Sequence, residues 1–241
     1  MNKILMTAAA ACFALGSAAQ AGTITVSEFN ITAFNTATAG SSIIQDFENL
    51  DGTDNSTVSA GILGGPLVTN VGTFGALDGV GSGTTCQASG TSTCTQLSLF
   101  DDEKNGQDNT VPTNGDWSLN ANDTYGIRWD VAVGADFSRL VFALMDAADI
   151  GDTVVTITDG DGGVATLENL SNAQQKLIVV DFDGRVSAAT VTIRSSKLND
   201  SFALDGASAV GVVPLPAGGL LLLTGFGALA LRRRKQAAKA A

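Results

Sequence analysis

The sequence predicts a single all-β domain, a β-sandwich or jelly roll, flanked by an N-terminal signal peptide and a C-terminal transmembrane helix. Three observations predict it. Short β-branched or alternating segments recur through the middle of the chain, separated by turn residues. Glycine is abundant, at 28 of 241 residues, and aromatic content is only 6%. No segment ahead of the C-terminal tail has a convincing helical period. The expected organisation is a signal peptide over 1–21, a sandwich domain over 22–211, an apolar span over 212–231 and a basic tail over 232–241.

The N-terminus reads Met1-Asn2-Lys3, then an apolar run from Ile4 to Gly16, then Ser17-Ala18-Ala19-Gln20-Ala21. A positive start, an apolar middle and small residues at Ala19 and Ala21 form an export signal with an A-x-A-type cleavage site. Cleavage leaves Gly22 as the first mature residue.

Strands follow. Thr23–Ser27, Ser42–Glu48, Leu67–Val71 and Thr95–Leu99 are the weaker predictions. Tyr125, Ile127, Trp129, Val131 and Val133 alternate with smaller or polar residues, as a half-buried strand does. Leu140–Met145 is continuously apolar, as a strand covered on both faces is. Thr153–Thr158, a turn at Asp159-Gly160-Asp161-Gly162-Gly163, and Val164–Leu167 read as a hairpin. Lys176–Phe182, Ala188–Arg194 and Ser201–Val210 complete about ten strands, enough for one sandwich. The polar stretch from Asp101 to Asn122 reads as a long surface loop.

Charge and composition exclude several functions. The chain has no histidine, which removes Ser-His-Asp and Cys-His catalysis and His-ligated metals. All 24 acidic residues lie between Glu28 and Asp205, but six of the 13 basic residues lie in the two ends. The 22–211 domain therefore carries seven basic residues and a net charge of −17. Such a domain does not bind nucleic acid, which needs a basic face. Cys86 and Cys94 remain as an even pair in an oxidising compartment and read as a disulfide, since two Cys without His make a poor metal site. Closing so small a loop stabilises by about 2.5 kcal/mol in the chain-entropy description.

The end of the chain carries a second signal. Val212–Leu231 holds no charge and, as a helix, would be about 30 Å long, the thickness of a bilayer core. Arg232-Arg233-Arg234-Lys235 follows at once and would hold that end in the cytoplasm. Val213-Pro214-Leu215-Pro216-Ala217, the apolar span and Arg232, Arg233 and Arg234 together resemble the VPLPA variety of the PEP-CTERM sorting signal. The resemblance covers Val213–Ala241 and nothing of the domain in front. It implies a Gram-negative bacterial protein that is exported and anchored in the inner membrane. An exosortase-type enzyme would then process it and pass it to the cell surface or extracellular matrix, often alongside exopolysaccharide.

Candidate chemistry in the domain is sparse. Ser42–Asn49 and Asn199–Asp205 are loosely similar to the early and final strands of jelly-roll carbohydrate-binding modules. In such modules one structural calcium ties these strands together. That likeness implies Glu48 and Asp205 as side-chain ligands, with backbone carbonyls completing six to eight oxygens. The acidic loop Asp101-Asp102-Glu103 lacks EF-hand spacing. Asp181 and Asp183 fall on one face of a strand, about 7 Å apart at the backbone, within the range of a glycosidase pair. Trp117 is the aromatic placed to stack on a sugar, whereas Trp129 belongs to the core. The expectation is a non-enzymatic surface or matrix protein, structural or adhesive and polysaccharide-binding. The alternative is a secreted carbohydrate-active hydrolase.

Overall fold

In a computed structural model of the chain, the structure describes residues 22–40, 43–50, 61–77, 95–101, 111–113, 115–145, 153–168, 170, 175–196 and 201–211. Fourteen strands and one short helix occupy them. The first part of the chain holds β1 (Thr23–Glu28), α1 (Ile31–Ala37), β2 (Ile43–Gln45), β3 (Gly61–Ile62), β4 (Leu67–Thr69), β5 (Gly72–Ala76) and β6 (Ser98–Asp101). A 3-10 turn at Glu48–Leu50 follows β2. The second part holds β7 (Trp117–Asn120), β8 (Gly126–Val131), β9 (Phe137–Met145), β10 (Val154–Asp159) and β11 (Val164–Glu168). It ends with β12 (Lys176–Val186), β13 (Ala189–Arg194) and β14 (Ala203–Val210).

The strands form two antiparallel sheets, as an all-β fold of this length requires. The larger has the order β1-β12-β9-β14-β7-β6-β3, with β2 also paired to β14. The smaller has the order β11-β10-β13-β8-β5-β4. One cross-strand row of the larger sheet runs Thr23, Asp181, Arg139, Val210, so β1 begins level with the end of β14.

Alternation decides which residues meet between the sheets. Ile127, Trp129 and Val131 of β8 point inward, as do Leu140, Phe142 and Leu144 of β9. Trp129 is fully buried. It stacks on Phe74 at 5.4 Å and meets the edge of Phe142 at 6.1 Å. Its indole N–H donates to the carbonyl of Val71 at 3.1 Å, so the one polar atom of the ring is satisfied. Phe47 adds an edge-on contact to Phe74.

Four features depart from the sequence reading. The first is α1, where no helix was expected. Asn30 caps it, its Oδ1 accepting the N–H groups of Thr32 and Ala33. Ile31, Phe34 and Ala37 then share one face and pack with Phe29, Val141, Leu177 and Val210 on the outside of the larger sheet. Tertiary packing stabilises this seven-residue helix, which is too short to persist alone.

The second is β7. The stretch read as a surface loop to Asn122 contains a strand whose four residues are all buried. Trp117 is its first residue and lies in the core at 7% exposure, so it is no sugar platform. The third is Tyr125. Gly126 has φ +137°, and a Cβ there would lie 1.8 Å from the carbonyl oxygen of Ile193. This glycine breaks the alternation, so Tyr125 leaves the core face and lies beside Arg194 at 5.2 Å. The fourth is number: β3, β5 and β7 were not anticipated.

Candidate functional site

Of the two predicted ligands, Asp205 lies in the final strand as expected, whereas Glu48, expected at the end of an early strand, lies just beyond it. Glu48 opens the 3-10 turn after β2, and Asp205 sits in β14, the strand to which β2 pairs. Both hold the same stretch of backbone. Asp205 is fully buried; its Oδ2 accepts the Val111 N–H at 2.8 Å and its Oδ1 accepts the Gly206 N–H at 2.6 Å. Glu48 Oε1 accepts the N–H groups of Asp116 and Trp117 at 2.8 and 2.9 Å. One carboxylate thus fastens each end of the segment leading into β7.

Local backbone geometry serves this arrangement. Phe47, a bulky core residue, has φ +62°. Such a conformation costs about 1–3 kcal/mol and persists only where the surroundings enforce it. It lets the ring enter the core while the next residue, Glu48, turns toward the Val111–Trp117 segment. Gly206 has φ +59°, and a Cβ there would come within 2.7 Å of Val111 and 2.9 Å of Phe34. The register of β14 against β9 shifts at this point, between Asp205 and Ser208.

These groups suit a hard cation in kind. Calcium takes oxygen ligands, and here Glu48 Oε1 already accepts two N–H groups and each Asp205 oxygen accepts one. Among the described residues no three His, Cys, Asp or Glu gather as a metal-holding group.

Asp181 and Asp183 do share the outer face of β12. Asp181 is committed elsewhere: its Oδ1 accepts from Arg139 Nε at 2.6 Å. Arg139 also donates through Nη1 to the Ala37 carbonyl at the C-terminal end of α1. The pair therefore fixes α1 to the sheet, a place where a cation also suits the helix dipole.

The two outer faces of the sandwich differ. On the larger sheet, α1 and Val111 cover Val141 and Leu177, and Asn120, Ala143 and Asp205 are buried. On the smaller sheet the outward residues range from half-buried to exposed. One row across it runs Val164, Thr158, Thr190, Asp130, Thr73, Val68. The next runs Thr166, Thr156, Thr192, Arg128, Gly75. Arg128 Nε donates to both oxygens of Asp130, and Thr190 Oγ1 donates to Asp130 Oδ1 at 2.8 Å. The Arg128 hydrogen bond holds the Asp130 carboxyl below its ordinary pKa, with partial burial opposing and Thr190 assisting. Sequence reading missed this face, although Thr156-Ile157-Thr158 and Thr190-Val191-Thr192 are a visible sign of it.

Cys86, Cys94, the signal peptide, the acidic residues 102–108 and the sorting residues Val213–Ala217 and Arg232–Arg234 lie outside the described residues. Among the described residues, no helix is long and apolar enough to cross a membrane.

No protein-family model and no curated protein matches the chain. Solved structures give partial likenesses. The CBM22-1 xylan-binding domain from Paenibacillus barcinonensis Xyn10C is 15% identical, with TM-score 0.34, covering 81% of this chain and 100% of that one. A glycoside hydrolase family 43 arabinoxylan arabinofuranohydrolase from Bacillus subtilis is 12% identical, with TM-score 0.32, covering 50% of this chain and 26% of that one. The family 11 carbohydrate-binding module of the Clostridium thermocellum cellulase Lic26A-Cel5E is 9% identical, with TM-score 0.26, covering 50% and 84%. The architecture stands on this chain's own strand pairing, with two antiparallel sheets enclosing one core.

Proposed function

We propose that this chain is an exported, non-enzymatic surface or matrix protein whose sandwich contacts polysaccharide in a structural or adhesive role. The observation that carries the reading is the broad, hydroxyl-lined face of the smaller sheet, set against a larger sheet whose middle is covered on its outside by α1 and Val111. A face of this breadth suits adhesion to a polymer. The hydrolase alternative needs two carboxylates available to a sugar, and Asp181 is held in its ion pair with Arg139.

The ends of the chain supply the destination in this reading. Residues 1–21 export the protein, and the VPLPA-type segment with Arg232, Arg233 and Arg234 anchors it in the inner membrane. An exosortase-type enzyme would then process it toward the surface. Structural calcium at Glu48 and Asp205 belongs to the same proposal. Its support is that both carboxylates meet the Val111–Trp117 segment at the β2–β14 junction. A cation there would also offset part of the −17 charge, whose self-repulsion costs stability.

The test is binding of the chain to the producing cell's exopolysaccharide, in calcium and then in EDTA. Retention in calcium that EDTA abolishes is expected. Retention in neither buffer refutes the polysaccharide reading, and equal retention in both refutes the role of calcium.

A further inference from the structure

The hydroxyl-lined face has a chemistry of its own. Six strands contribute to its longest row, and five gaps of about 4.8 Å make it about 24 Å across. Its relief is low, because most outward residues are threonine, valine or glycine. Thr73, Thr156, Thr158, Thr166 and Thr192 make no side-chain hydrogen bond within the described residues. Their hydroxyls are therefore available, each with one donor and two acceptor positions. Two exposed valines, Val68 at 75% and Val164 at 56%, stand at opposite ends of the row. A third row places Arg194 between Val154 and Gly126, with Glu168 at the edge.

Charge separates this face from the rest of the domain. Arg128 and Arg194 balance Asp130 and Glu168 on it, whereas the whole domain carries −17. An anionic polymer approaching the face would meet the repulsive field of the surrounding body. A neutral polyol would not. Sugar hydroxyls need both donors and acceptors, and the face supplies both: a guanidinium that only donates, a carboxylate that only accepts, and hydroxyls that do either. The valines and threonine methyls match the C–H faces of sugar rings.

We propose that the outer face of the smaller sheet binds an uncharged polysaccharide chain laid across the strands, read by the free threonine hydroxyls and the Arg128–Asp130 pair. This rests on the polysaccharide reading above and names its ligand class and its place.

The experiment uses the full chain in mild detergent. Retardation is measured in native gels containing a soluble neutral β-glucan, a neutral mannan or polygalacturonate. Three forms are compared: the wild type, a triple Thr156→Val/Thr158→Val/Thr192→Val variant, and the matching triple Ser variant. Valine keeps the shape and the strand preference, while serine keeps the hydroxyl. The wild type is expected to be retarded by a neutral polymer and not by polygalacturonate. The Val variant should lose at least about tenfold in affinity, the sum of a few hydrogen bonds, and the Ser variant should stay close to wild type. Unchanged melting of both variants shows that they fold. A folded Val variant that binds as wild type overturns the proposed face and leaves the polysaccharide reading standing. Retardation by polygalacturonate alone overturns the neutral ligand class. No retardation of the wild type by any polymer overturns both. Self-association that the Val substitutions abolish, without polymer binding, assigns the face to a second copy of the chain and overturns the proposal.

Discussion

Replacing Asp205 with Asn tests whether the Val111–Trp117 segment is held by a buried charge. The substitution conserves size and changes one oxygen into an NH2 group. Asp205 is fully buried and accepts two backbone N–H groups, one on each oxygen. Asparagine can accept only one of them; its NH2 must then face the other N–H. The loss is one charge-assisted hydrogen bond, about 1.5–3 kcal/mol, plus one unsatisfied buried donor, about 1–3 kcal/mol. Relaxation of the segment recovers part, so about 3–5 kcal/mol of destabilisation is expected. For a domain of this size that lowers Tm by roughly 6–20 °C. The assay is thermal unfolding by circular dichroism, with the urea midpoint as a second measure. Asp183→Asn, at an exposed position on β12, is the control and should stay within about 0.5 kcal/mol. A fall in Tm below about 2 °C for Asp205→Asn would refute the buried-charge account. The same variant should lose any calcium-induced rise in Tm that the wild type shows.

The remaining predictions concern other parts of the fold. Trp129→Ala removes the centre of the aromatic stack and should cost about 3–5 kcal/mol, read as a lower urea midpoint; a loss under 1 kcal/mol would contradict its place in the core. Arg139→Ala should leave the sandwich intact but speed amide hydrogen exchange across Ile31–Ala37, because it removes the link between Asp181 and the end of α1. Exchange unchanged there would mean that apolar packing alone holds the helix. Asp130 has its folded pKa lowered by Arg128, so its contribution is present above the ordinary carboxylate value and is lost as pH falls through the depressed one. Asp130→Asn should therefore flatten the acid limb of stability below about pH 4, by a small amount because the pair is half exposed. Replacing Arg232, Arg233 and Arg234 with Ser should alter membrane retention, measured by fractionation; unchanged processing and location would refute the sorting reading.

The later strands were legible in sequence because they are long and regular. The β-branched run before Asp159 and the alternation around Trp129 carry their own signal, and the Asp159–Gly163 turn follows from Asp159 Oδ1 accepting two backbone N–H groups. The pairing of β2 with β14 was legible only as a likeness between two short segments. What stayed hidden depends on contacts distant in sequence. Trp117 lies among Asp, Asn and Gly residues that read as loop, and only Glu48 and the neighbouring strands β6 and β14 make a strand there. The helix α1 is set by an apolar face that has no meaning until the outside of β9 and β12 exists. Tyr125 followed the right period with the wrong outcome, because one glycine at φ +137° shifts the parity. The threonine face escaped because threonine reads as β-propensity in sequence, and only the cross-strand register shows that several hydroxyls share one surface.

The row Thr23, Asp181, Arg139, Val210 has a mechanical consequence. Gly22 and Gly211 leave the sandwich from one pole, three strand spacings or about 14 Å apart. Pulling the two ends apart acts across the strands, on β1 at the sheet edge and on β14 at its centre, so β1 can peel from β12 while β14 stays held by β9, β7 and β2. A load applied through the C-terminal end alone would act on the best-paired strand of the larger sheet. Under tension between the two ends the domain therefore yields first at β1, its edge strand.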